Sequence, residues 1–141
     1  PPLFLQLAHD APPPTDGVVL ALAPGRHAAP VLGRVVSLVA ARADFSIDRL
    51  SDAQLVSDAI AGAASAHALD QDGIVRVEIA EHDHGFDLLV GPLAPGGSDQ
   101  LVRDTELPAP GCLLERLADE LRVVPTGTGE LLRTRLMAHP A

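Results

Sequence analysis

The sequence predicts an α/β fold, a two-layer sandwich whose mixed, mostly antiparallel sheet carries helices on one face. Three observations point to it. Apolar runs of strand length fall at Val18–Ala23, Ile74–Glu81, Phe86–Val90, Arg122–Val124 and Glu130–Met137. Three longer stretches, Pro30–Ala43, Asp48–His67 and Cys112–Leu121, repeat apolar residues at helical spacing. The resulting order, β, α, α, β, β, α, β, β, alternates only in part, which gathers the helices into one layer over the sheet.

Each element has its own local reasons. Residues 1–17 read PPLFLQLAHDAPPPTDG. Leu3, Leu5 and Leu7 allow a short strand, and Pro12, Pro13 and Pro14 then impose an extended linker. An N-terminal extension over 1–17 and one folded domain over 18–141 are therefore expected. Pro24 and Gly25 end the first strand. Val31, Val35, Leu38 and Val39, with Leu32, Val36 and Ala40, give the first helix a broad apolar face. In the second helix Leu50, Ala53, Ser57, Ile60, Ala64 and Ala68 share one stripe. Ser51 is expected to cap its main run, with Asp52 favouring the positive helix start. Asp70 to Gly73 turn the chain into Ile74, and Gly85 links the next two strands as a hairpin. The proline-rich stretch Pro92 to Pro110 reads as a long loop. Leu113, Leu114, Leu117, Ala118 and Leu121 form the last helix, and Gly127-Thr128-Gly129 turns between the last two strands.

Composition narrows the function classes. The 141 residues suit one domain and a core that needs no staples. With 19 acidic and 10 basic side chains the formal charge is −9, and every basic residue except histidine is arginine. A sequence pI near 4.9 argues against a nucleic-acid surface, which needs a basic patch. Aromatic residues are 2% of the chain, with no Trp or Tyr, so base-stacking platforms are missing too. No apolar run reaches the ~18 residues of a membrane helix, and no charged-then-apolar leader stands at the start. The single Cys112 excludes an internal disulfide. A reducing, cytoplasmic location is the expectation. The abundance of alanine, arginine, proline and aspartate is the bias of GC-rich genomes.

Local constellations are weak. His82 and His84 share a face of an alternating hairpin, but a metal site needs three or four ligands and none joins them, so a solvated turn is expected and no metal. Cys112 has no His or Asp partner nearby in sequence and is expected to pack on the third helix. Pro95-Gly96-Gly97-Ser98 lacks the lysine of a phosphate-binding loop.

The order of several weak signals says more. The segment VSDAIAGAASAHA (Val56 to Ala68), the hairpin GIVRVEIAEHDHGFDLLV and the stretch PGCLLERLADELRVVPTGTGELLRTRL together resemble the anti-sigma-factor serine kinases. These are histidine-kinase-like ATPases with the Bergerat nucleotide-binding fold. The resemblance covers Val18 to Met137 and rests on order and spacing, with no motif intact. In that family the second helix carries a Glu that prepares the attacking hydroxyl and, four residues on, an Asn that binds Mg²⁺. The spacing sets both on one helix face. Here those positions hold Asp58 and Gly62; the first keeps a carboxylate and the second has no ligand atom. The family's first glycine box supplies an Asp for the adenine amino group and two hinge glycines. Here Gly91 falls where the Asp belongs, Leu93 falls at a glycine, and Gly96 and Gly97 keep part of the hinge. Of the second box, whose amides meet phosphate at a helix start, only Gly111 remains, after Pro110. Thr128 matches the late Gly-Thr of the family.

The Mg²⁺ ligand, the adenine acceptor and the phosphate glycines are thus missing together. What the resemblance implies is a degenerate regulatory domain that acts by binding protein. Its partner would be a sigma factor, an anti-sigma antagonist or a sensor domain, and the family allows a homodimer. No cofactor is expected; Mg-ATP would bind only if the site works. The alternatives are an active ATP-dependent serine kinase and a ligand sensor using the emptied pocket.

Overall fold

A computed structural model describes residues 17–105 and 112–139. Residues 1–16 of the expected extension, with its strand at Leu3 to Leu7, and the expected phosphate glycine Gly111 lie outside the described residues.

The fold is the expected two-layer sandwich. Strands β1 (Val18–Leu22), β2 (Val75–His82), β3 (Gly85–Leu93), β4 (Glu120–Pro125) and β5 (Glu130–Met137) form one sheet in the order β1-β2-β3-β5-β4, and every pairing is antiparallel. Helices α1 (Ala28–Arg42) and α2 (Ile47–Ala63) pair with each other, and a 3₁₀ turn, Ala64–His67, prolongs α2. Two shorter helices follow the hairpin, α3 (Gly97–Asp104) and α4 (Leu113–Leu117). No helix among the described residues is long and apolar enough to cross a membrane.

The strict alternation of strand side chains decides where the core sits. Val77, Ile79, Phe86, Leu88, Val90, Leu132 and Leu136 are fully buried on one face. Against them pack Leu32, Val36, Val39 and Ala40 of α1 and Ala53, Val56 and Ile60 of α2. Phe45, in the link between the two helices, stacks on Phe86 with ring centroids 5.5 Å apart.

On the opposite face ion pairs stand among apolar side chains, Val19, Ala21, Leu89, Val124 and Leu131. Asp87 accepts two hydrogen bonds from Arg135, 2.8 Å from Nε and 3.0 Å from Nη2, and lies 3.1 Å from His82 Nε2. Glu120 pairs with Arg133 and stands 3.5 Å from Arg122. Burial raises the Asp87 carboxyl, but the hydrogen bonds and charges of Arg135 and His82 outweigh it and hold it below its ordinary value. Its contribution to stability is therefore present above the unfolded carboxylate pKa of ~3.9 and fades as pH falls through the lower folded value.

Three local expectations are corrected. The stretch read as a loop contains α3, begun by Gly96 at φ 80 and held by buried Ser98 and Leu101. The last helix stops at Leu117, and the chain enters β4 at Glu120, so Leu121 faces Thr134 in the sheet. Ser46, not Ser51, caps α2, accepting from the Arg49 amide at 3.1 Å. Ser51 lies inside the helix and donates back to the Ile47 carbonyl.

Arg49 is the unexpected member of the buried stripe of α2, 6% exposed. Its guanidinium donates to the carbonyls of Met137 and Leu117, each at 2.9 Å, and meets Asp119 at 2.5 Å and Asp52 at 3.3 Å. Removing it takes the guanidinium from Asp119 and from two backbone carbonyls. Arg49→Ala is expected to cost about 3–5 kcal/mol, the range for breaking a buried ion pair from one side. Arg49→Lys, which cannot supply a planar fork of donors, should recover only part of that in a urea titration.

Candidate functional site

The sequence-predicted residues divide between two places. Asp58 is exposed on α2 and lines a shallow groove between α1 and α2 with Ala29, Gly33, Arg34, Ser37 and Gln54. The groove is bridged by a 2.8 Å hydrogen bond from Gln54 to Ser37. Gly62, one turn further along α2, is exposed, and a Cβ there would meet nothing within 4 Å. Of the predicted positions Gly62, Gly91, Gly96 and Gly97, none lines the groove beside Asp58.

Gly91, Leu93, Gly96 and Gly97 gather at the end of β3 and the start of α3. Backbone bonds fix this junction: the Leu69 amide donates to Pro92 at 3.0 Å and the Ala94 amide to His67 at 2.9 Å. Leu93 is fully buried in the core. Gly97 is buried, with room for a Cβ only 3.1 Å from the His67 carbonyl. At Gly91 a Cβ would fall 2.3 Å from Leu131 Cδ2 and 3.0 Å from the Glu130 carbonyl. At this position, where the resemblance would put the adenine acceptor, packing leaves little room for a side chain. Thr128 is exposed in the turn before β5.

Sequence reasoning missed Glu130. Its side chain reaches from the start of β5 to the N-terminus of α3, where Oε1 accepts from the Gly96 amide and Oε2 from the Ser98 amide, both at 2.9 Å. A helix start offers unsatisfied N–H groups and a partial positive charge, the geometry that binds phosphate. Here the protein's own carboxylate takes both amides. Burial raises the Glu130 carboxyl. The Ser98 hydroxyl close by and the two amides lower it more, and the net is below its ordinary value. No spacing in the sequence links position 130 to position 96; the contact exists only once β5 lies beside β3.

The remaining candidates are structural. His82 is engaged by Asp87, and His84 sits at φ 63 in the hairpin turn. Cys112 is half-buried at the start of α4. Among the described residues no group of three or more His, Cys, Asp or Glu side chains could hold a metal ion.

Glu130→Ala is expected to cost about 1 kcal/mol, as for other lost helix-start acceptors. The sign with pH is set by the lowered carboxyl. The difference from wild type should be full above the unfolded glutamate pKa of ~4.3 and shrink as acid passes the lower folded value. Urea midpoints of both proteins at neutral and acid pH check this.

No model of a known protein family matches the chain, and no curated protein sequence does.

Proposed function

We propose that this chain is a degenerate, anti-sigma-factor-like regulatory domain that acts by binding protein and has little or no ATP binding. The observation that carries the reading is the Glu130 carboxylate on the Gly96 and Ser98 amides. A phosphate approaching that helix start meets a like charge on donors already engaged. Two further positions agree. Gly62 offers no atom to a magnesium ion, and Gly91 has no space for an acidic side chain. The reading needs no cofactor and implies a cytoplasmic protein whose partner is a sigma factor, its antagonist or a sensor.

The partner-facing surface in this reading is the outer side of α1 and α2. Asp48 and Asp58 are exposed there, whereas Asp52 is partly committed to Arg49. Leu38 and Leu55, 69% and 49% exposed, supply apolar contact beside them. Apolar anchors ringed by charge favour a partner of complementary, basic surface.

Calorimetry with Mg-ATP is the decisive test. The expected dissociation constant is weaker than ~1 mM, equivalent to about −4 kcal/mol. Micromolar binding would mean a rebuilt nucleotide site and return the chain to the kinases. In a pull-down from the source cells, Asp48→Asn with Asp58→Asn should weaken capture of a transcription regulator, as should added salt.

A further inference from the structure

The two edges of the sheet differ in chemistry. The β4 edge carries Glu120, Arg122 and Pro125, the charges and proline that keep foreign strands from pairing. β1, VVLAL, has neither, and it holds an unbroken register with β2. Among the described residues no strand pairs with its outer side. Backbone groups along an edge strand point alternately toward the sheet and outward, so half of those on β1 lack a strand partner.

The layer above is open at the same place. Val18 stands opposite the buried Ile79 and therefore faces the helices, yet it is 36% exposed. On α1, Gly33 and Ser37 turn toward α2, the first beside Asp58 and the second bonded to Gln54. Val31 and Val35, one turn apart, lie on the other side of the helix. Val31 is 47% exposed and borders a hollow at the end of β1 with Ala21 and Leu22. An added strand with apolar side chains on its helix side would fill this flank.

We infer that the chain supplies that strand itself: residues 3–7 fold back antiparallel on β1 and make the sheet six-stranded. The sequence immediately before β1 has the required period. Pairing Leu7 with Val18, Leu5 with Leu20 and Leu3 with Leu22 sets three leucines on the helix side, beneath Val31 and Val35. Gln6 then stands opposite Val19 and Phe4 opposite Ala21, on the outer face. A slip by one residue would send all three leucines out and bring Gln6 under the helix. The segment from Pro1 to Ala8 carries no charged side chain, as a neutral edge requires. The residues that suit a ladder least, Asp10, Pro12, Pro13, Pro14 and Asp16, all fall in the connecting loop. Neighbouring strands lie about 4.8 Å apart, which residues 8–17 span with ease. A tether that short holds the segment at an effective concentration of about 1 mM, so it reaches the edge ahead of any free chain at micromolar level.

Nuclear magnetic resonance on the full chain tests this. Overhauser contacts are expected between the backbones of Leu5 and Leu20 and of Leu3 and Leu22. The outward N–H groups of β1 should be protected from exchange, equally at about 100 μM and at a tenfold dilution, because the contact is internal. Leu5→Lys puts a charge on the helix side and should speed their exchange about tenfold, whereas Gln6→Lys, on the outer face, should leave it within about twofold. Unchanged exchange at Leu88 and Val90, in the centre of the sheet, shows that both variants keep the fold. The inference is overturned by the absence of contacts between 3–7 and 18–22, or by Gln6→Lys acting as strongly as Leu5→Lys. Protection that grows with protein concentration also overturns it, since a second chain would then occupy the edge.

Discussion

A single buried guanidinium holds the end of this fold together. Arg49 belongs to α2, yet its donors go to the last residue of α4, the last residue of β5 and Asp119 between α4 and β4. Asp119 in turn accepts from the Met137 amide at 2.7 Å, and its own amide donates to the Arg135 carbonyl at 2.8 Å. Helix ends and strand ends leave carbonyls without partners, and burying them unpaired is costly. The guanidinium fork answers two such carbonyls and one carboxylate at once. The brevity of α4 follows: the helix must stop at Leu117 for its carbonyl to meet Arg49, and the chain then drops into β4.

The same economy governs the sheet. Its inner face is apolar apart from Thr134 and, at the strand ends, Glu81 and Glu130, and α1 and α2 pack against it. On its outer face Asp87, Arg135, His82, Glu120 and Arg133 pair with one another among apolar neighbours. Among the described residues no strand pairs with the outer side of β1.

Much of this was legible in sequence, and the exceptions have physical causes. Periodicity found α1, α2 and the five strands, because a half-buried element must alternate in polarity. It failed over 97–104, where α3 is short, polar and hidden among prolines. The stripe of α2 held a usable sign that went unread: Arg49 stands at the apolar spacing, one turn before Ala53, and a cation there needs a buried partner. Asp58 and Gly62 lie one turn apart on α2. The glycines gather elsewhere, at the β3–α3 junction. Glu130 could not be found, because its role depends on two strands becoming neighbours across the length of the sheet. The avoidance of a side chain at Gly91 has the same origin, since it is set by Leu131 and Glu130.

The carboxylate on α3 differs from a bound phosphate in one more respect: it is tethered. Its local concentration at the Gly96 and Ser98 amides is fixed by the position of β5 and not by the surrounding solution. A free anion enters and leaves by mass action, so a helix start that relies on one loosens whenever the solute becomes scarce. Here occupancy is part of the covalent chain. The orientation of α3 is thereby insulated from phosphate supply, and acid loosens it by protonating the carboxylate.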